Sequence, residues 1–106
     1  MKIEFSKTQR GFQTGSFTDR YGEKCSIQKS SLATENAIWL GIDDAKPQIM
    51  QSHAVRLGLI QEPNPVGWMP FPVPKEVVFS TRMHLTQEQV KELIPILQKF
   101  VDTGEI

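Results

Sequence analysis

The chain has 106 residues, of which 39% are apolar and 23% charged, and its formal net charge is zero. This length and apolar content suit a single domain over residues 1–106 and exclude intrinsic disorder. Twelve basic residues balance twelve acidic ones, so the positive excess that supplies non-specific binding to nucleic acid or anionic membrane is absent.

The first predicted element is a β-hairpin. Its strands cover residues 12–18 and 24–29, and Asp19-Arg20-Tyr21-Gly22 forms the turn between them. The glycine favours a short loop because it readily adopts positive φ.

The next predicted strand is Ala37–Ile42, which follows a turn at residues 34–36. Both of its alternating faces are apolar, which is typical of a central strand covered on two sides. The following segment favours a short middle helix over residues 43–58, with an aspartate as its cap and Pro47 in its first turn.

Residues 62–74 form a proline-rich strap, with prolines at positions 63, 65, 70, 72 and 74. Proline lacks a backbone donor and fixes φ, so the strap should be extended and should not pair within a sheet. Its interleaved Trp68, Met69, Phe71 and Val73 are expected to press onto the core. The functional alternative is a ligand for a partner's aromatic groove.

Residues 76–84 alternate clearly and predict another strand. The expected core face contains Val77, Phe79, Thr81 and Met83, and the other face contains Val78, Ser80, Arg82 and His84. This second face is available for solvent or for a ligand.

Residues 87–103 are predicted to form an amphipathic helix. Thr86 and Gln89 have the spacing of a capping box, and Gly104 can end the helix in the left-handed conformation. Pro95 should cause a modest bend, because it lies on the polar side. The apolar stripe consists of Val90, Leu93, Ile94, Leu97, Phe100 and Val101. The predicted fold is therefore α+β, a small antiparallel sheet with this helix packed on it.

Cysteine usage and hydropathy predict a cytoplasmic protein that makes no membrane contact. Cys25 is the one cysteine, and a free thiol is typical of a reducing compartment. No signal peptide is recognisable, and no segment approaches the roughly 20 apolar residues of a membrane span.

Arg82 and His84 are the strongest candidates for ligand contacts. Residues two apart on a strand share a face and lie about 7 Å apart, which suits a phosphate or a carboxylate. The structural alternative is that Arg82 pairs with an acidic residue and His84 hydrogen-bonds the turn into the helix. Phosphate loops, nucleophile elbows and zinc-spaced ligand series are absent. We therefore predict no catalytic residue, metal site or cofactor.

Three other residues could take part in catalysis or metal binding, but each has a structural interpretation. They are Cys25, Asp43 and Asp44. Nothing in the sequence marks Cys25 as an activated thiol, and Asp43 and Asp44 are interpreted as a helix cap or turn. Trp39 and Trp68 are expected in the core.

Two blocks covering about half of the chain carry a family resemblance. YGEKCSIQKSSLATENAIWLGIDD and TRMHLTQEQVKELIPILQKFVDTGEI resemble a family of small, largely uncharacterised proteins of bacteriophages and prophages. The strings CSIQKSSLA and RMHL are the distinctive ones. The resemblance implies a phage-encoded binding protein in the cytoplasm of a host bacterium.

Small phage accessory proteins without catalytic motifs often act by stoichiometric binding. We therefore expect a non-catalytic protein that counters a host antiviral system by sequestering a nucleotide-type signalling molecule. An apolar strap and an exposed sheet edge also favour a homo-oligomer. The candidate ligand-binding residues are Arg82, His84, Gln28, Lys29, Ser30, Tyr21 and Trp68.

Two alternatives stay open. A protein–protein inhibitor of a host enzyme would use the strap or the hairpin tips. A small metal-dependent phosphodiesterase or nuclease would use Asp43, Asp44 and His84 with a divalent cation.

Overall fold

The computed structural model describes residues 2–106, which form seven strands and two helices. In chain order these are β1 (Glu4–Lys7), β2 (Gln13–Thr18), β3 (Lys24–Lys29), β4 (Ala37–Ile42), β5 (Gln48–Met50), α1 (Gln51–Arg56), β6 (Trp68–Pro70), β7 (Arg82–Thr86) and α2 (Gln87–Thr103). The predicted α+β class is confirmed. Two compact units are present, one from the segment up to Asp43 together with Ser80–Ile106 and the other from Asp44–Phe79. The single domain stays a prediction.

The first unit contains a five-stranded antiparallel sheet in the order β1-β2-β3-β4-β7. The predicted β4 therefore lies inside the sheet, between β3 and β7. Cross-strand partners share a face, so the register defines two surfaces. The polar face carries the partner rows Glu4-Ser16-Ser26-Gly41-Arg82 and Ser6-Thr14-Gln28-Trp39-His84. The apolar face carries Phe5-Gly15-Ile27-Leu40-Met83.

The predicted hairpin between β2 and β3 is confirmed. The Asp19 carboxylate accepts hydrogen bonds from the backbone N–H groups of Tyr21 at 2.8 Å and Glu23 at 2.9 Å. Gly22 closes the turn with a φ of 81°. The sequence pattern did not indicate β1, which adds to the free edge of β2.

The strand predicted at residues 76–84 is shorter in the structure. Its pairing begins at Arg82, opposite Gly41. Because β4 ends at Ile42, which lies opposite Thr81 in this register, it offers no partner to residues 76–80. The predicted core face is also wrong for Val77 and Phe79, whose side chains are exposed. A period of two in sequence therefore does not make a strand where no neighbouring edge exists.

The second unit contains a two-stranded ribbon of β5 and β6, with α1 following β5. The middle helix is shorter than predicted: Met50 is its N-cap residue, and Gly58 lies just beyond its end with a φ of 77°. The predicted aspartate cap is wrong. The carboxylate of Asp43 instead accepts a hydrogen bond from Ser26 at 2.7 Å.

The proline-rich strap pairs, contrary to the prediction. Pro70 in β6 lies opposite Gln48 in β5, and a ribbon of two strands tolerates proline because both strands are edges. Trp68 is 65% exposed, so the prediction that it lies in the core is wrong.

Helix α2 has the predicted bounds and both predicted caps. The Thr86 hydroxyl accepts from Gln89 N at 3.2 Å, and the Gln89 side-chain oxygen accepts from Thr86 N at 3.0 Å. Gly104 ends the helix with a φ of 79°. Packing of α2 over the sheet is limited, and none of its residues is buried, because β7 runs into it without a loop that would turn it back.

Burial in the described chain is slight. The buried apolar side chains are those of Cys25, Ala37 and Ala54, and no large side chain of residues 2–106 is fully buried. Among the same residues, no helix has both the length and the apolar character needed to cross a bilayer.

Candidate ligand site on the polar face of the sheet

Trp39 is the centre of an aromatic and cationic cluster on the polar face. The register places Gln28 on one side of it and His84 on the other. The ring of His84 lies 5.0 Å from that of Trp39, centroid to centroid, at an interplanar angle of 31°. The cross-strand row therefore forms a plate of flat side chains, which we call the Trp39 plate (Gln28, Trp39, His84 and Arg82).

Arg82 covers the indole and is held by a chain of hydrogen bonds. Its guanidinium carbon lies 4.9 Å from the centroid of the Trp39 ring, and Nη1 donates to Ser26 Oγ at 3.3 Å. The buried Ser26 donates in turn to the carboxylate of Asp43 at 2.7 Å. The structural alternative was that Arg82 pairs with an acidic residue. Here Ser26 links Arg82 to Asp43, and this chain of hydrogen bonds uses one of the five N–H donors of the guanidinium group.

The indole N–H of Trp39 is buried without a hydrogen-bond partner among the described residues. Because a buried donor without a partner is costly, native structures rarely contain one unless it has a role. Trp39 was predicted to be a core residue, yet it is half-buried on the polar face. Both faces of β4 are apolar in sequence, so the sequence could not show whether Trp39 lies in the core or on the polar face.

A depression of about 380 Å³ lies next to Trp39. Arg10 and Phe12 line it together with Gln28, and the guanidinium of Arg10 lies 5.8 Å from the centroid of the Phe12 ring. A second arginine therefore borders the Trp39 plate. Sequence reasoning missed Arg10, because it lies in a connection without periodicity.

The structure brings together three of the predicted ligand residues. Arg82, His84 and Gln28 share the polar face, although β4 separates their strands. Lys29 belongs to the opposite face, where its ammonium group donates to Asn36 at 2.7 Å. Lys29 and Arg82 therefore lie on different faces of the sheet, and a ligand role for Lys29 stays a prediction.

Ser30 follows β3, Tyr21 lies in the β2–β3 turn, and Trp68 begins β6. Ser30 is buried, and its hydroxyl accepts from the backbone N–H of Leu32 at 3.2 Å. Tyr21 is exposed in the β2–β3 turn, with the guanidinium of Arg20 5.8 Å from its ring centroid. Trp68 belongs to the second unit. Ligand roles for these residues stay predictions.

Cys25 is buried in β3, and burial raises the pKa of its thiol. The carboxylates of Asp19 and Asp43 raise this pKa further. A thiol in this state is a poor nucleophile. Within residues 2–106, no group of three or more His, Cys, Asp and Glu side chains is placed to share a metal ion, so Asp43, Asp44 and His84 form no such group.

Comparisons of the chain with protein-family models, with curated proteins and with solved structures gave no match.

Proposed function

We propose that this chain is a non-catalytic binding protein that holds a nucleotide-type molecule on the polar face of its sheet. One observation carries the proposal: Arg82 and His84 lie within 5.0 Å of the centroid of the Trp39 ring. A cation and two flat rings at one place match a ligand with negative charge and a planar base.

The chemistry of the Trp39 plate supports this ligand class. A guanidinium can donate two parallel hydrogen bonds to a phosphate, and aromatic rings and guanidinium planes stack on bases of any sequence. The neighbouring depression of about 380 Å³ falls within the usual range of small-molecule sites, which is about 300–1,000 Å³.

A binding role also agrees with the reactive groups that the described chain offers. The pKa of the one thiol is raised, not lowered, and no donor cluster for a metal accompanies the Trp39 plate. Together with the resemblance to phage proteins, these observations favour sequestration over turnover. The proposed role is to counter a host antiviral system from within the bacterial cytoplasm by removing a nucleotide-type signal.

Native mass spectrometry of the full chain purified from infected cells tests this function. We expect an intact nucleotide-type molecule, released on denaturation, in fixed ratio to the protein. Arg82→Ala should lose it, because it removes the guanidinium over Trp39. Arg20→Ala is the matched control, since it removes an arginine that lies over an aromatic ring outside the site.

Three results would contradict the proposal. They are a wild-type chain without a small molecule, a ligand retained by Arg82→Ala, and release of hydrolysed products whose formation requires magnesium or manganese. A bare chain that co-purifies with a host polypeptide would favour the protein-inhibitor alternative.

A further inference from the structure

A guanidinium lies over an aromatic ring at a second place beside the Trp39 plate. The ring is that of Phe12, and its centroid lies 5.8 Å from the guanidinium carbon of Arg10. Phe12 precedes Thr14 by two residues, so it continues the face that Thr14 shares with Gln28 and Trp39. The polar face therefore repeats the combination of a cation and a flat ring.

The connection between β1 and β2 holds Phe12 in place. Thr8 N donates to the carbonyl oxygen of Phe12 at 2.8 Å, and Phe12 N donates to the hydroxyl of Thr8 at 3.1 Å. Gly11 N donates to the carbonyl oxygen of Thr8 at 2.9 Å and closes the turn with a φ of 85°. The half-buried Phe12 is therefore anchored by backbone hydrogen bonds, as a strand residue would be.

Phe12 and Trp39 border the same depression of about 380 Å³ but lie too far apart to share one base. Two strand spacings separate β2 from β4, and Phe12 lies two residues along from the row that contains Trp39. These offsets place the two Cα atoms about 12 Å apart. One planar base can stack on one of these rings, so a single nucleotide leaves the other ring uncovered.

The charge of the depression suits phosphate. Among the described residues that line it, Arg10 carries the only charge. Arg82 lies over the other ring, 4.9 Å from the centroid of Trp39. Each ring therefore has its own guanidinium, which can donate to phosphate oxygens.

We propose that the site takes a dinucleotide-type ligand, with one base on Trp39 and the second on Phe12. This inference rests on the proposed function and specifies the class of its ligand. Arg82 and Arg10 donate to the phosphates, and Gln28 in β3 lies between the two rings. Because aromatic rings stack on bases of any sequence, the arrangement selects the number of bases more strongly than their identity.

Isothermal titration calorimetry of the full chain with two probes tests the ligand class. The probes are AMP, which has one base, and 5′-phosphorylated diadenylate (pApA), which has two. Since stacking of one base on an aromatic ring is worth roughly a factor of ten or more in affinity, pApA should bind about tenfold more tightly than AMP. Arg10→Ala and Phe12→Leu should remove this advantage and leave AMP binding at the Trp39 plate unchanged.

Two control variants make matching changes outside the depression. Arg20→Ala removes a guanidinium that lies over the exposed ring of Tyr21. Phe17→Leu makes the same aromatic replacement on the apolar face of β2. Both should keep the preference for pApA. Arg10 is exposed, so Arg10→Ala should fold even if Phe12→Leu does not.

Equal affinities for AMP and pApA in the wild type would overturn the dinucleotide inference, while a one-nucleotide site at Arg82 would stand. A preference for pApA that survives both Arg10→Ala and Phe12→Leu would overturn it as well. Binding of neither probe would overturn the inference and contradict the proposed function. A longer oligoadenylate that binds about tenfold more tightly than pApA would identify single-stranded nucleic acid as the ligand and would also overturn the inference.

Discussion

Replacement of Arg82 tests the energetics of the Trp39 plate without knowledge of the ligand. Arg82→Ala removes a cation 4.9 Å from an indole centroid, worth about 1 kcal/mol when partly desolvated. It also removes a hydrogen bond to Ser26 at 3.3 Å, worth roughly 0.5–1.5 kcal/mol. Ser26 still donates to Asp43, so no additional penalty arises there. The expected loss of unfolding free energy is about 2 kcal/mol.

Arg82→Lys measures how much of the loss comes from the planar guanidinium group and how much from its positive charge. Lysine keeps the cation but loses the planar stack and the fixed donor geometry, so about half of the loss, ~1 kcal/mol, should remain. The assay is urea denaturation followed by tryptophan fluorescence and circular dichroism, at one protein concentration because self-association would shift the midpoint.

Arg20→Ala is the matched control for this series. Its guanidinium also lies over an aromatic ring, at 5.8 Å, but in an exposed turn, so the change should stay within about 0.5 kcal/mol. Equal losses in Arg82→Ala and Arg20→Ala would refute the argument that the half-buried stack stabilises the sheet.

Three further predictions concern the cap of α2, the β4–β7 pairing and the thiol of Cys25. Thr86→Ala removes the capping box of α2 and should cost about 1 kcal/mol of stability, seen in urea denaturation followed by helical circular dichroism; an unchanged midpoint would contradict it. Gly41→Ala places a methyl group 2.7 Å from the carbonyl oxygen of Thr81 and should cost about 1–3 kcal/mol by the same measurement. Gly11→Ala carries only the strain of a positive φ, 85°, because its Cβ meets no atom within 4 Å, so it should cost less than Gly41→Ala, and an equal cost would contradict the steric argument. The raised pKa of Cys25 means that the folded chain binds the thiol proton more tightly than the unfolded chain does. The free energy of unfolding should therefore fall as pH rises above about 8.5. Equal rates of Cys25 alkylation in folded and urea-unfolded protein at pH 8 would contradict this.

Local signals in the sequence predicted the elements whose stability is local. The capping residues, the apolar stripe and the terminal glycine of α2 all lie within one segment, and the helix has the predicted bounds. The β2–β3 turn is also stabilised locally, because the hydrogen bond to Asp19 and the positive φ of Gly22 both lie within the turn. Such elements can be predicted without knowledge of the rest of the chain.

Elements that depend on a distant partner were predicted less well. Residues 76–80 alternate as a strand does but lie beyond the end of β4, and β1 has a weak pattern but pairs with the open edge of β2. Arg82 and His84 were recognised from their shared strand face. Trp39 and Ser26 were not, because only the β3–β4–β7 register shows that they contact Arg82.

The pairing of β4 with β7 determines which side chains share the polar face with Trp39. A slip of one residue would move Arg82 and His84 to the apolar face and Leu85 to the polar face. Gly41 suits the observed register, because a Cβ at its position would lie 2.7 Å from the Thr81 carbonyl oxygen and 3.0 Å from Arg82 Cα. Gly41→Ala should therefore disturb the β4–β7 pairing that places Arg82 over Trp39, and it should lower ligand retention as Arg82→Ala does.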